Sequence, residues 1–150
     1  MKTARAIATV FGLGFVRYAP GTAASIVALP IAWLIAFAGG RFLLLLAGLF
    51  VFAVGAWASE VYATETKKLD PSECVIDEVA GQWITCAFAL VSLPSYALAF
   101  LLFRAFDIFK PWPISTTERL PGGIGIMADD LAAAIIAGAI LVAVTRLGLL

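Results

Sequence analysis

The chain has 150 residues, 63% of them hydrophobic and only 13% charged, with a mean hydropathy of +1.03. A water-soluble domain of this size has too little interior to hide so much apolar surface, so the expected solvent is a bilayer. Zero net charge leaves no nucleic-acid footprint, and the absence of histidine excludes every mechanism that needs an imidazole base, nucleophile or ligand.

In chain order, the N-terminal stretch "AIATVFGLGFV" after Lys2 and Arg5 is interrupted by two glycines and has no clean cleavage site, so it is not read as a signal sequence. "YAPGTAAS" (18–25) turns the chain into a helix whose first backbone N–H groups are free, a start suited to an anion. Thr22 and Ser25 add hydroxyls there, although a plain turn and N-cap would look the same. Apolar runs follow at about 25–38 and 42–59, with "GGR" (39–41) turning the chain between them. The polar stretch 60–78 ends in "DPSECVIDEVAGQW" (70–83), where Asp77 and Glu78 stand at the start of the next apolar run. One acid there is ordinary helix-dipole compensation. Two, with Asp70 upstream and Gly81 one turn on, point to a cation between them.

Runs at 79–93 and 95–109 are split by "SLPS" (92–95), read as a hairpin turn. "FRAFDIFKPWPI" (103–114) then carries Arg104, Asp107 and Lys110 on one helical sector. Lys110 could snorkel to headgroups, but Arg104 lies one to two turns inside an apolar helix, where ionisable groups face a partner or polar cavity. "GGIGIMADDLAAAIIAG" (122–138) is read as a flexible glycine turn followed by Asp129 and Asp130 at the head of the last helix. Ala133, Ala134, Ala137 and Gly138 form a small-residue face for helix packing. Cys74 and Cys86 have no metal or redox spacing.

The expected architecture is an all-α polytopic integral membrane bundle, one domain over 1–150, with about five short hydrophobic segments and polar loops on the cytoplasmic side. Threading the five runs back and forth puts all ten acids on the side of the N-terminus: Glu60, Glu65, Asp70, Glu73, Asp77, Glu78, Asp107, Glu118, Asp129 and Asp130. Only Arg41 and Arg146 among the cations fall on the other side, and the Lys/Arg excess marks the first side as cytoplasmic. Six acids (Asp70, Asp77, Glu78, Asp107, Asp129, Asp130) thereby become candidate oxygen ligands on one face. Hard oxygens without His or Cys favour Mg²⁺, and Arg104 and Lys110 suit phosphate. These are parts for metal-assisted phosphoryl chemistry at a membrane surface. An ion carrier or a non-catalytic scaffold remains an alternative.

Four stretches, "APGTAAS" (19–25), 70–83, 103–114 and "GGIGIMADDLAA" (122–133), together resemble the bacterial phosphatidylglycerophosphatase A family. One departure is Ala24, where the family's Pro-Gly-Thr-x-Gly-Ser has a second glycine. The resemblance implies a Mg²⁺-dependent membrane phosphatase that converts phosphatidylglycerophosphate to phosphatidylglycerol on the inner face of the cytoplasmic membrane. It implies metal or catalytic roles for Asp77, Glu78, Asp107, Asp129 and Asp130, and less directly for Asp70. In the expected mechanism Asp77, Glu78, Asp129 and Asp130 hold metal, Asp107 takes a proton from water, and Arg104 and Lys110 neutralise phosphate oxygens. A covalent aspartyl-phosphate route ranks lower, since no Asp-x-Asp motif is present.

Overall fold

The computed structural model describes residues 2–117 and 120–150, and among these every regular element is helical. Glu118 lies outside the described residues. After a short α1 (Lys2–Ala8) and a 3-10 turn at Leu13–Phe15, the chain enters α2 (Pro20–Thr66). Pro20 occupies the first turn, where its missing N–H costs nothing and its fixed φ suits the helix.

α2 is two arms. At Gly40 the backbone has φ 80° and ψ 170°, a conformation that only glycine adopts cheaply, and the helix breaks there. Ala24 and Ala28 before the break pack in one cluster with Ala58, Tyr62 and Ala63 after it, and Ala32 and Ala36 pack with Leu44. The arms therefore run side by side in opposite directions, as the "GGR" turn predicts. Alanine at every fourth position from 24 to 36 gives the first arm a narrow ridge, which lets the backbones approach.

α3 (Ile76–Ala87) lies against both α2 and α6, with most of its side chains buried. It begins at the expected place but ends early. The residues "SLPS" are not the turn itself. Ser92 is the N-cap of α4 (Leu93–Phe109), its Oγ accepting from Ser95 N–H at 3.4 Å, and Pro94 lies in the first turn. The turn is residues 88–91.

A four-residue helix, α5 (Ile114–Thr117), precedes α6 (Gly122–Arg146). α6 starts seven residues before Asp129, so the expected glycine loop is helix and neither aspartate is an N-cap. The reason is long-range. The Gly123 N–H donates to the Glu60 carboxylate, and a Cβ at Gly123 would lie 1.9 Å from the Ala56 carbonyl oxygen, so these glycines wind against α2 where larger residues could not. Ala133, Ala134, Ala137 and Gly138 are buried, as expected of a packing face.

Two of the described helices, α2 and α6, are long and apolar enough to cross a membrane by length and composition. α3 and α4, at 12 and 17 residues, are shorter than the roughly 20 residues of an ordinary span. The two arms of α2 with α3, α4 and α6 make five helical segments, of which length and composition mark only those of α2 and α6 as candidate spans. Large apolar side chains such as Phe37, Phe42, Phe50 and Leu101 stand exposed on the outside. At the Gly40 end, Arg41 and Arg146 line one shallow cavity, as their joint assignment to the far side anticipates.

Candidate active site

The start of α2, the loop before α3, the first turn of α3, the end of α4 and the second and third turns of α6 enclose a cleft of about 290 Å³. Its walls are mostly polar. Asp77 and Glu78 enter from α3, Arg104 and Asp107 from α4, and Asp129 and Asp130 from α6. Lys110, at the α4 C-cap, and the exposed Asp70 complete the charged lining. Six carboxylates line the cleft, five of them (Asp77, Glu78, Asp107, Asp129, Asp130) buried or half-buried, against two cations, Arg104 and Lys110. Buried like charges repel unless something positive sits among them.

The pairings divide the acids into two sets. Arg104 Nη1 is bonded to Asp107, lies 3.8 Å from Glu78 Oε1, and its Nη2 donates to Thr22 Oγ1 at 3.4 Å. Lys110 is bonded to Asp129. Asp77, Glu78 and Asp130 form the second set: one carboxylate oxygen of each lies within 4.8 Å of the others. Asp130 is only 2% exposed, and its Oδ2 has no hydrogen-bond partner; Glu78 Oε2 is likewise buried and unpartnered. A buried, unpaired carboxylate oxygen is costly. Turned together with Asp77, these two groups make an oxygen-only donor set that fits a small hard divalent cation.

Backbone bonds orient the set. The Glu78 N–H donates to Asp77 Oδ1 at 3.1 Å, and the Asp130 N–H donates to Asp129 Oδ1 at 3.0 Å. Gly21 matters here for its size: a Cβ on it would sit 1.9 Å from Glu78 Oε1. At Gly81 the close neighbours are the Phe103 ring and the Asp130 carbonyl oxygen, at 2.5 and 3.2 Å from a built Cβ, so this glycine lets α4 and α6 close on α3.

The structure thus brings together Asp70, Asp77, Glu78, Arg104, Asp107, Lys110, Asp129 and Asp130. Thr22 reaches the group through Arg104. Ser25 is fully buried, has an unpartnered hydroxyl and does not line the cleft. Asp129, expected among the metal ligands, pairs with Lys110. Sequence reasoning missed Gly21 and Ser72, both in the cleft wall. The Pro-Gly-Thr turn was the available signal for Gly21, and Ser72 carried none. In the stretch between α2 and α3, the Lys68 ammonium donates to Glu73 at 2.8 Å, which raises the lysine pKa and lowers that of the carboxyl.

The family model described as phosphatidylglycerophosphatase A matches residues 6–145. The chain belongs to this family. It is a phosphatase, and the cleft holds the charge such chemistry needs. A phosphatidylglycerophosphatase A of Escherichia coli is 35% identical over 141 residues, covering 90% of this chain and 79% of that protein. The Haemophilus influenzae phosphatidylglycerophosphatase A is 34% identical over 137 residues, covering 87% and 82%. A Bacteroides thetaiotaomicron protein, described as a candidate phosphatidylinositol-3-phosphatase, is 39% identical over 153 residues, covering 93% and 91%. No solved structure matches this phosphatase.

Proposed function

We propose that this phosphatase hydrolyses phosphatidylglycerophosphate to phosphatidylglycerol and inorganic phosphate, as a step of phospholipid synthesis at the bacterial cytoplasmic membrane. In this reading the helices form a multi-pass bundle and the cleft opens to the cytoplasm. The observation that carries it is the convergence of Asp77, Glu78, Asp107, Asp129 and Asp130 with Arg104 and Lys110 in one cleft, in a chain whose outside is apolar.

Asp77, Glu78 and Asp130 would hold Mg²⁺, which when bound supplies a Lewis acid for the phosphate oxygens and for the attacking water. Asp107 keeps the Arg104 guanidinium turned into the cleft, and Thr22 fixes its other edge. Arg104 neutralises equatorial phosphoryl oxygens as charge shifts toward them in the transition state. Lys110, held by Asp129, does the same from the C-cap of α4. Asp107 lines the same cleft, where its carboxylate can take the proton of water. The lipid tails stay in the bilayer, and only the headgroup enters.

The Bacteroides relative supports a second substrate reading, a phosphoinositide monoester. Phosphate release by the purified protein, from each lipid in parallel, with Mg²⁺ and with chelator, tests both. The first reading expects chelator-sensitive turnover of phosphatidylglycerophosphate, and a loss of about a hundredfold or more in Asp77→Asn with the protein still folded. Turnover of the phosphoinositide alone, or full activity in Asp77→Asn, contradicts it.

A further inference from the structure

On the other side of α3 from the charged cleft lies a groove of about 660 Å³ between the stretch after α1, both arms of α2 and α3. From α3, Ile76, Val79 and Trp83 face it, while their neighbours Asp77 and Glu78 face the cleft. The width of one helix, about 10 Å with its side chains, therefore separates the two. Val27 and Ile31 of α2, both exposed, form the opposite wall. The single polar side-chain group in the lining, the Trp83 indole N–H, is already committed to the Ala28 carbonyl at 3.0 Å. The groove thus offers a partner hydrocarbon contact and nothing else.

Its lip is held in an unusual way. Val10, Phe11 and Gly12 all have positive φ, at 47°, 55° and 96°. For valine and phenylalanine that conformation costs free energy, which surrounding contacts must offset. The loop is clamped where the cleft wall begins. The Val75 N–H donates to the Ala8 carbonyl at 2.9 Å, and a Cβ at Gly14 would lie 1.9 Å from the Glu73 carbonyl oxygen. The clamp leaves Phe11 87% exposed at the groove edge.

We propose that this groove seats one acyl chain of the lipid whose phosphate occupies the cleft. The inference rests on the lipid-phosphatase reading above. Groove and cleft share the first turn of α3 and the loop before it, so a chain lying in one leaves the headgroup beside the other. A tail that moves from bilayer hydrocarbon into this groove gains no transfer free energy. Its effect is to orient the lipid, and it appears in KM for long-chain substrate.

Two measurements test it on the full-length protein in detergent micelles. The first is photocrosslinking with a phosphatidic acid carrying a diazirine in one chain, mapped by mass spectrometry, which does not depend on hydrolysis. Adducts concentrated on Phe11, Val27, Ile31 and Trp83, and displaced by unlabelled phosphatidic acid, are expected. Adducts spread equally over other exposed apolar positions, such as Phe37, Phe50 and Leu101, overturn the proposal. The second compares Val27→Trp and Ile31→Trp, which fill the groove from its exposed wall, on dipalmitoyl phosphatidylglycerophosphate and on the deacylated headgroup. The expected result is a KM for the dipalmitoyl lipid raised by up to about tenfold, with the headgroup reaction within about twofold of wild type. Unchanged KM, equal loss on both substrates, or a change only in oligomeric state overturns the groove assignment. Absence of any hydrolysis by wild type, with groove adducts present, instead removes the substrate reading.

Discussion

Asp130→Asn should raise the metal-free stability of this protein while removing its activity. Asp130 is buried at 2% exposure, one of its oxygens is unpartnered, and it shares a sphere of 4.8 Å with oxygens of Asp77 and Glu78. At that separation, two unit charges at an effective dielectric of about 20 repel by about 3 kcal/mol. Asparagine keeps the volume and drops the charge, so relief of part of that repulsion should stabilise the metal-free protein by about 1–3 kcal/mol. With Mg²⁺ at about a hundred times its Kd, the wild type should gain about 2.7 kcal/mol, since only the folded site gathers the three carboxylates. At about 2–4 °C per kcal/mol for a chain of this size, that is a rise of about 5–10 °C in Tm. The variant should lose most of that rise. The assay is thermal unfolding in detergent, with Mg²⁺ and with chelator, beside phosphate release. A variant that is less stable than wild type in chelator, or that keeps the full Mg²⁺-dependent rise, refutes the reasoning.

Three further outcomes are expected. Arg104→Lys should cut kcat by about tenfold or more with little change in Tm, because a point charge replaces the two-pronged guanidinium that spans Asp107, Glu78 and Thr22; wild-type kcat would make Arg104 merely structural. Gly21→Ala should impair phosphate release while the protein still folds, because the new methyl lands 1.9 Å from Glu78 Oε1 and must push that flexible side chain out of the donor set; unchanged activity and Mg²⁺ response would remove Glu78 from it. Burial pushes the Cys74 thiol up to about 11, and its sulfur lies 3.0 Å from Ser59 Oγ. The thiolate is the reactive form, so at pH 8 only about one thiol in a thousand reacts. Maleimide should therefore label Cys74 slowly in the folded protein and fast after denaturation; equal rates would contradict the buried placement.

The all-helical class and the gathering of acids were legible because both follow from simple constraints. A chain this apolar must satisfy its backbone within helices, and apolar run lengths bring its polar ends to one side. What escaped depended on contacts distant in sequence. "GGIG" reads as a loop, and only the Glu60 carboxylate and the Ala56 carbonyl, some sixty residues earlier, explain why it is helix. Asp129 looks identical to Asp130 in sequence, yet Lys110, nineteen residues back, claims the first and leaves the second unpaired. Ser25 sits one turn from Thr22 in a motif that reads as a phosphate cradle, but the packing of α2 turns its hydroxyl inward. The extent of α3 was misjudged because residues 88–91 continue the apolar run without continuing the helix.

The central claim is that carboxylates from α3 and α6 share one divalent cation beside a phosphate site. Anomalous diffraction from crystals grown with Mn²⁺ in place of Mg²⁺, together with inorganic phosphate, tests it most directly. The account predicts a Mn²⁺ peak bounded by Asp77, Glu78 and Asp130, with phosphate density reaching Arg104 or Lys110. A cleft without a Mn²⁺ peak at saturating metal, or metal bound only at the rim near Asp70, would contradict it.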